Sequence, residues 1–248
     1  MLQRAQENFL AHISLDCVIF GFHAGELKVL LLRMKSLDQW ALPGGFMMQA
    51  ETMEEAAIRT LKERTGLENI FLQQFHVFSD PARNDPGKRA EALKSMGILA
   101  EEANWFAQRF ISVGFYALVE FSRVVPQPDA LSDECSWYSI NGKRKLIFDH
   151  EVILQTALGT LRTQINHQPI GYNLLPAKFT MPELQKLYEA ILGKKLDRRN
   201  FQRKILSYGI LRTLKEKRKG VAHKAPYLYS FHLPKYQKAL REGLNGRW

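Results

Sequence analysis

The sequence predicts an α/β protein in two parts, a mixed α/β domain over residues 1–165 and a winged helix-turn-helix over residues 166–248. Three observations carry this expectation. Strand-like and helix-like segments alternate through the first part. The stretch NHQPIGYNLLPAKF, with two prolines and a glycine, then interrupts that grammar as a linker does. The charge also changes sign. From Lys178 onward there are 18 Lys and Arg against 5 Asp and Glu, or +13, whereas residues 1–177 hold 17 against 20, or −3.

In order along the chain, SLDCVIFGF and LKVLLLR read as a hairpin, joined by the turn HAGE, because β-branched and aromatic residues dominate both arms. ALPGG breaks the pattern. TMEEAAIRTLKERTG is helical, with Ala56, Ala57, Leu61 and Ile58 as its apolar stripe. Thr52 and Glu55 have capping-box spacing at its start, and Gly66 suits its C-terminal cap. NIFLQQFHVF is a strand followed by the polar break SDPARNDPG. The stretch KRAEALKSMGILAEEANWFAQRF is helical or irregular, FISVGFYALVEFSRVV is a strong strand, ECSWYSI a short one, and HEVILQTALGTLRTQI a helix.

Beyond the break, FTMPELQKLYEAILG places Leu184, Leu187, Tyr188 and Ile191 on one helical face. Thr180 and Glu183 form a second capping box, with Pro182 in the first turn. Asp197 caps the helix RRNFQRKILSYG, and ILRTL, the basic turn KEKRKGVAHKAP and YLYSFHL make a hairpin. Helix, turn, helix, basic hairpin is the order of a winged helix-turn-helix.

A mildly acidic body with a strongly basic end points to nucleic acid as a partner. No apolar run approaches the length of a membrane span, and MLQRAQENFLAH has no apolar core of a secretory signal, so a cytoplasmic protein without a membrane partner is expected. Cys17 and Cys135 lack paired metal spacing and read as reduced thiols. His76 and His150 have no spaced partner either, so packing or surface roles are expected of them, and no cofactor is expected.

Phe201 and Ile205 lie one turn apart and face a core. Arg198, Arg199, Asn200, Gln202 and Arg203 then project from the other side, near the N-terminal half, where a recognition helix meets base edges. Arginine grips guanine in bidentate fashion, and Asn or Gln pairs with adenine. Lys215, Lys217, Arg218, Lys219 and Lys224 in the hairpin, with Lys178 ahead of the preceding helix, suit phosphate contacts.

The first helix carries a more specific pattern. Gly45, Glu51, Arg59, Leu61, Glu63, Gly66 and Leu67, taken together, resemble the Nudix box, a loop-helix-loop that holds divalent metal against a diphosphate. In that box three helical glutamates share one face, which suits a hard cation. Here Thr60 and Arg64 stand at two of those positions, and only Glu63 matches. The two halves together resemble the Nudix-related transcriptional regulators of the NrtR type, over nearly the whole chain; the stretch PIGYNLLPAKFTMPELQKLYEAILGKKLDRRNFQRKI is especially similar.

The resemblance implies a Nudix α/β/α sandwich that binds an effector without cutting it, followed by a winged helix that binds a double-stranded operator as a homodimer. It implies a repressor that senses an ADP-ribose-like ligand in NAD metabolism or a pentose such as arabinose in sugar catabolism. The form RTLKERTGLENI leans toward the pentose branch. The effector is expected near Arg33, Trp40, Phe46, Glu51 and Glu63, with Glu51 and Arg59 as the pair that shapes the loop. Trp40 either stacks on the ligand or is a core residue. The segment 88–109 is read as an insertion that forms a lid, a dimer contact or a decorated loop. The alternative is an Mg²⁺-dependent hydrolase of nucleoside-diphosphate derivatives. It needs substitute carboxylates, for which Asp80, Asp85, Glu91, Glu101 and Glu102 are the nearby candidates. An RNA-binding protein is a third reading, disfavoured because the aromatic motifs of common RNA modules are missing.

Overall fold

A computed structural model describes residues 5–68, 70–83, 108–218 and 225–244, together with 87, 94–95 and 105–106. The chain divides into two units: Met1–Phe20 with Lys28–Ala157, and Gly21–Leu27 with Leu158–Trp248. No described helix is long and apolar enough to cross a membrane.

The first part runs α1 Ala5–Asn8, β1 Phe9–His23, β2 Glu26–Met34, β3 Trp40–Ala41, β4 Gly44–Met48, α2 Met53–Thr65, β5 Phe71–Phe78, β6 Ile111–Val119, β7 Ser132–Ser139 and α3 His150–Gln164. The strands form one sheet in the order β3-β2-β1-β6-β5, with β4 on β1 and β7 on β2. Strand periodicity decides which residues meet the Nudix helix. Leu15, Cys17 and Ile19 of β1 and Phe115, Ala117 and Val119 of β6 pack in one cluster with Ala56, Ala57 and Leu61 of α2. The intervening Val18, Phe20, Tyr116 and Leu118 are buried as well. The sheet is thus covered on both faces here, which is why β1 and β6 read as near-continuous apolar runs. Ile58, expected in the helix stripe, is instead 54% exposed, because it points away from that cluster.

The capping box at Thr52 and Glu55 forms, and Gly66 closes α2 in the left-handed region at φ 69°. The break ALPGG is more regular than expected, since β4 pairs with β1 by placing Gly44 opposite Asp16 and Gly45 opposite Leu15. A Cβ at Gly44 would stand 2.7 Å from the Leu15 carbonyl oxygen and 3.0 Å from Asp16 Oδ1, so only glycine permits this approach. Most of the insertion 88–109, including Glu91, Glu101 and Glu102, lies outside the described residues, as does Asp85. Its Trp105 and Phe106 are buried with Phe9 and Phe110, and the partly buried Phe46 and Met48 pack against them.

The second unit contains β8 Phe179–Thr180, α4 Met181–Leu192, α5 Arg198–Ser207, β9 Leu211–Lys217, β10 Tyr227–Phe231 and α6 Leu233–Glu242, with a sheet ordered β8-β10-β9. Leu184, Leu187, Tyr188 and Ile191 are buried as expected, and both bonds of the Thr180–Glu183 box are present. The stretch read as a linker is part of this unit's core. Ile170, Leu174, Leu175 and Phe179 are buried, and the Tyr236 hydroxyl of α6 donates to the Pro169 carbonyl at 2.7 Å. Prolines and a glycine there mark irregular backbone rather than solvent-exposed chain. Helix α6 itself was not expected; Tyr236 anchors it against Phe231 and Tyr172.

Candidate functional site

Helix α5 begins at Asp197, whose carboxylate accepts the Asn200 amide at 2.8 Å. That cap fixes where the helix starts and hence which residues share its faces. Phe201 and Ile205 are buried, and Tyr188 packs edge-on to Phe201 at 5.4 Å between ring centroids. Arg198, Arg199, Asn200 and Arg203 are exposed and Gln202 is half-buried. Arg203 donates to the Asn200 side-chain oxygen at 3.0 Å, so two of the candidate base readers hold each other. In the wing, Lys215 and Arg218 are exposed. Arg218 is paired with Glu183 at 2.8 Å, and Lys178 with Glu216 at 2.7 Å. Those two cations must exchange partners to reach phosphate. Lys217 lies in β9, while Lys219 and Lys224 fall outside the described residues.

The Nudix stretch is a chain of alternating charges. Arg59 holds Glu51 with two bonds, Nη2 to Oε1 at 2.6 Å and Nε to Oε2 at 3.1 Å, and donates to the Phe46 carbonyl at 2.9 Å. The Met48 amide donates to the same carboxylate at 2.6 Å. The hydrogen bonds from Arg59 hold the Glu51 carboxyl below its ordinary range, against the opposing effect of burial. Glu63 lies 3.6 Å from Arg59 and 3.1 Å from Arg64. Arg64 is nearly buried and also donates to the Pro128 carbonyl at 3.1 Å. Thr60 is buried beneath Gly45, whose added Cβ would meet its hydroxyl at 3.3 Å.

Both matching carboxylates therefore already face arginine. Of the three helical positions that hold metal in the box only Glu63 is a carboxylate, and a divalent cation there would compete with Arg59 and Arg64, so this set does not fit Mg²⁺ as the hydrolase reading requires. Among the described residues no three His, Cys, Asp or Glu side chains converge as metal ligands. Asp80, the described candidate for a substitute carboxylate, accepts the Ala82 amide at 2.8 Å in a local turn.

Beside this stretch lies a cavity of about 160 Å³, walled by Asp16, Gly44, Gly45, Phe46, Arg83, Phe110, Phe148, Asp149 and His150 among others. Of the five residues expected to meet the effector, Phe46 lines it. Arg33 is turned to Asp133 at 2.8 Å, Trp40 packs edge-on against Tyr138 at 4.4 Å, and Glu51 and Glu63 are engaged as described. Arg83 binds Asp149 through Nε and Nη2 at 2.7 and 3.1 Å and donates from Nη1 to the Phe78 and Phe110 carbonyls. His150 accepts the Leu42 amide on Nδ1 at 2.9 Å, with Nε2 3.5 Å from Asp16. That ring is held within the fold, in line with the packing role expected of it. His76 is exposed and stacks edge-on with Phe78. The sequence reading missed Asp16, Arg83 and Asp149. They stand in three separate segments, and no short motif announces a network that only the fold assembles.

A family model described as the NUDIX domain matches residues 10–151, and one described as the NrtR DNA-binding winged helix domain matches residues 171–231. The chain is 29% identical over 232 residues to the ADPR responsive transcriptional repressor NtrR of Acinetobacter baylyi, covering 90% of this chain and 83% of that one. It is 31% identical over 131 residues to the ADP-ribose pyrophosphatase of Methanocaldococcus jannaschii, covering 52% of this chain and 64% of that one. Among solved structures, the NrtR of Shewanella oneidensis in complex with a 27mer DNA is similar with a TM-score of 0.74 at 23% identity, over 95% of this chain and 99% of that one. At that identity the likeness shows a shared fold.

Proposed function

Because the chain belongs to the Nudix family and carries a winged helix of the NrtR type, we propose that it is a transcriptional repressor whose Nudix domain binds an effector without hydrolysing it. In this reading residues 166–248 bind a double-stranded operator and residues 1–165 bind a small molecule of the ADP-ribose type. The observation that carries the reading is how the charges are distributed. Glu63, the one helical glutamate retained, lies against Arg59 and Arg64, while Arg198 and Arg199 stand exposed on α5. The Acinetobacter relative supports both the repressor role and the effector class.

Arg198, Arg199, Asn200, Gln202 and Arg203 read base edges, and Lys215, Lys217, Arg218, Lys219 and Lys224 hold phosphates. A homodimer matches two half-sites one or two helical turns apart. The effector switches the protein only by binding one arrangement of the DNA-binding units better than the other. Such a protein works in the cytoplasm, where its operator is.

The test is an electrophoretic shift with duplex DNA from upstream of the neighbouring genes, titrated separately with ADP-ribose, arabinose and xylose. A sequence-specific shift that ADP-ribose reverses is expected, steeply weakened by salt. A shift that responds to arabinose or xylose alone moves the effector to the sugars. No shift at low salt, with ADP-ribose consumed when Mg²⁺ is added, returns the chain to the hydrolases. A preference for single-stranded RNA would assign it to a third class.

A further inference from the structure

The basic wing holds an acid that the fold does not use. Glu216 interrupts the run Lys215, Lys217, Arg218 and Lys219, and it is one of five acids from Lys178 onward. Three of those five shape the backbone: Glu183 and Asp197 cap α4 and α5, and Glu189 accepts the Leu196 amide at 2.9 Å. Glu242 lies on α6. The Glu216 side chain is 61% exposed and, among the described residues, pairs with Lys178, whose Nζ donates to its two carboxylate oxygens at 2.8 and 2.7 Å.

A second pair runs the opposite way. Arg218 Nη2 donates to Glu183 Oε1 at 2.8 Å, while Glu183 Oε2 accepts the Thr180 amide at 2.7 Å and the Thr180 hydroxyl at 2.9 Å. One carboxylate thus completes the cap of α4 and holds a wing cation. Strand β10 separates β8 from β9 in the sheet, so both pairs reach from the end of the outer strand back to the segment that leads into α4. Exposed ion pairs contribute little to stability, so the pairing itself does little for the fold. Its effect on DNA is larger. A paired cation has no net charge to give a phosphate, so no counterion leaves when the two meet. The displaced carboxylate also stays on the same surface, within the Debye length of about 8 Å at physiological salt, and repels the backbone.

We propose that Glu216 and Glu183 compete with DNA for two cations of the winged helix, Lys178 and Arg218, and so hold down the part of DNA affinity that is independent of sequence. Base contacts from α5 then decide where the protein rests, because binding to bulk DNA competes with binding to any operator. The inference rests on the DNA-binding reading above and deepens it.

The test is fluorescence anisotropy of the full chain on a labelled random-sequence duplex, across a series of KCl concentrations. Glu216→Gln should bind the duplex about fivefold more tightly than the wild type at physiological salt, because one freed cation steepens the fall of log K with log salt by about 0.9. Glu183→Gln should do the same through Arg218, and it keeps the cap, since glutamine also serves in a capping box. Glu242→Gln removes the same charge on α6, beside Lys238 at 3.8 Å, and should give a clearly smaller gain. In a Lys178→Met background, Glu216→Gln should no longer steepen the salt dependence. Affinity that stays at the wild-type level or falls in Glu216→Gln or in Glu183→Gln overturns the proposal. So does an equal gain from Glu242→Gln, which would make net charge the cause, or a Glu216→Gln gain that survives the loss of Lys178. If the wild type binds DNA and the substitutions change nothing, the DNA-binding reading stands and this proposal falls. If the wild type binds no duplex at low salt, both fall.

Discussion

The Glu51–Arg59 pair makes a prediction that can be worked from its geometry. Glu51 accepts two bonds from Arg59 and one from the Met48 amide, at 2.6 to 3.1 Å, with side chains only 13% and 24% exposed. Hydrogen bonds to charged groups contribute about 1.5–3 kcal/mol each, and breaking a fully buried pair costs about 3–5 kcal/mol. Partial exposure lowers this, so Glu51→Gln should destabilise by about 2–3 kcal/mol, Arg59→Met by a similar amount, and the pair should couple by about 2 kcal/mol in a double-mutant cycle. Three of the four tryptophans, Trp40, Trp105 and Trp137, fall in the first unit, so fluorescence-monitored urea unfolding reports on it. The pH dependence has a definite sign. Arg59 holds the Glu51 carboxyl below its ordinary value of 4.5 in the folded state, so the stabilisation is present above that pH. It is lost as pH falls through the lower folded value. Glu51→Gln should remove this acid-sensitive portion. Coupling below about 0.5 kcal/mol, the ordinary error of additivity, or unchanged acid sensitivity, would refute the claim that this pair shapes the loop.

Other expectations concern the second unit and the thiols. Arg199→Ala and Arg203→Ala should each relax base preference at one operator position and weaken operator binding by about 1–3 kcal/mol, the worth of one bidentate pair with a base; selection from a randomised operator library checks this, and unchanged preference in both misplaces the recognition helix. Lys217→Ala should weaken all duplexes alike and flatten the salt dependence, which titration on operator and unrelated DNA will show. Asp197→Ala removes the cap of α5 and should cost about 1 kcal/mol of stability, read from the urea midpoint of the second unit by circular dichroism. Burial pushes the Cys135 thiol up to about 11 and the fully buried Cys17 higher. A thiol reagent at pH 8 should therefore modify the half-buried Cys135 slowly and leave Cys17 unmodified in the native protein, and modify both in urea; rapid native labelling of Cys17 would contradict its burial.

Much of the architecture was legible because its determinants are local. Two capping boxes at Thr52 and Thr180, the cap at Asp197 and the glycines after α2 and α4 mark helix ends through contacts a few residues long. The period of the apolar residues told strand from helix, and charge confined to one end set a basic part apart from a mildly acidic one. Resemblance to a known family, carried by the residues from Gly45 to Leu67, brought out the Nudix domain.

What only the tertiary structure decided depends on partners far apart in the chain. Ile170, Leu174 and Leu175 look like a linker until Tyr236, some seventy residues on, reaches back to Pro169. That Glu63 pairs with arginine depends on how Arg59 and Arg64 are turned. Arg33 and Trp40 lie within a few residues of the cavity wall, yet strand register turns one to Asp133 and the other to Tyr138. The cavity draws Asp16, Arg83 and Asp149 from a strand, a turn and the start of a helix. Local sequence sets which groups a segment can offer. Chain closure over long separations in sequence determines which of them meet, and only their meeting makes a site.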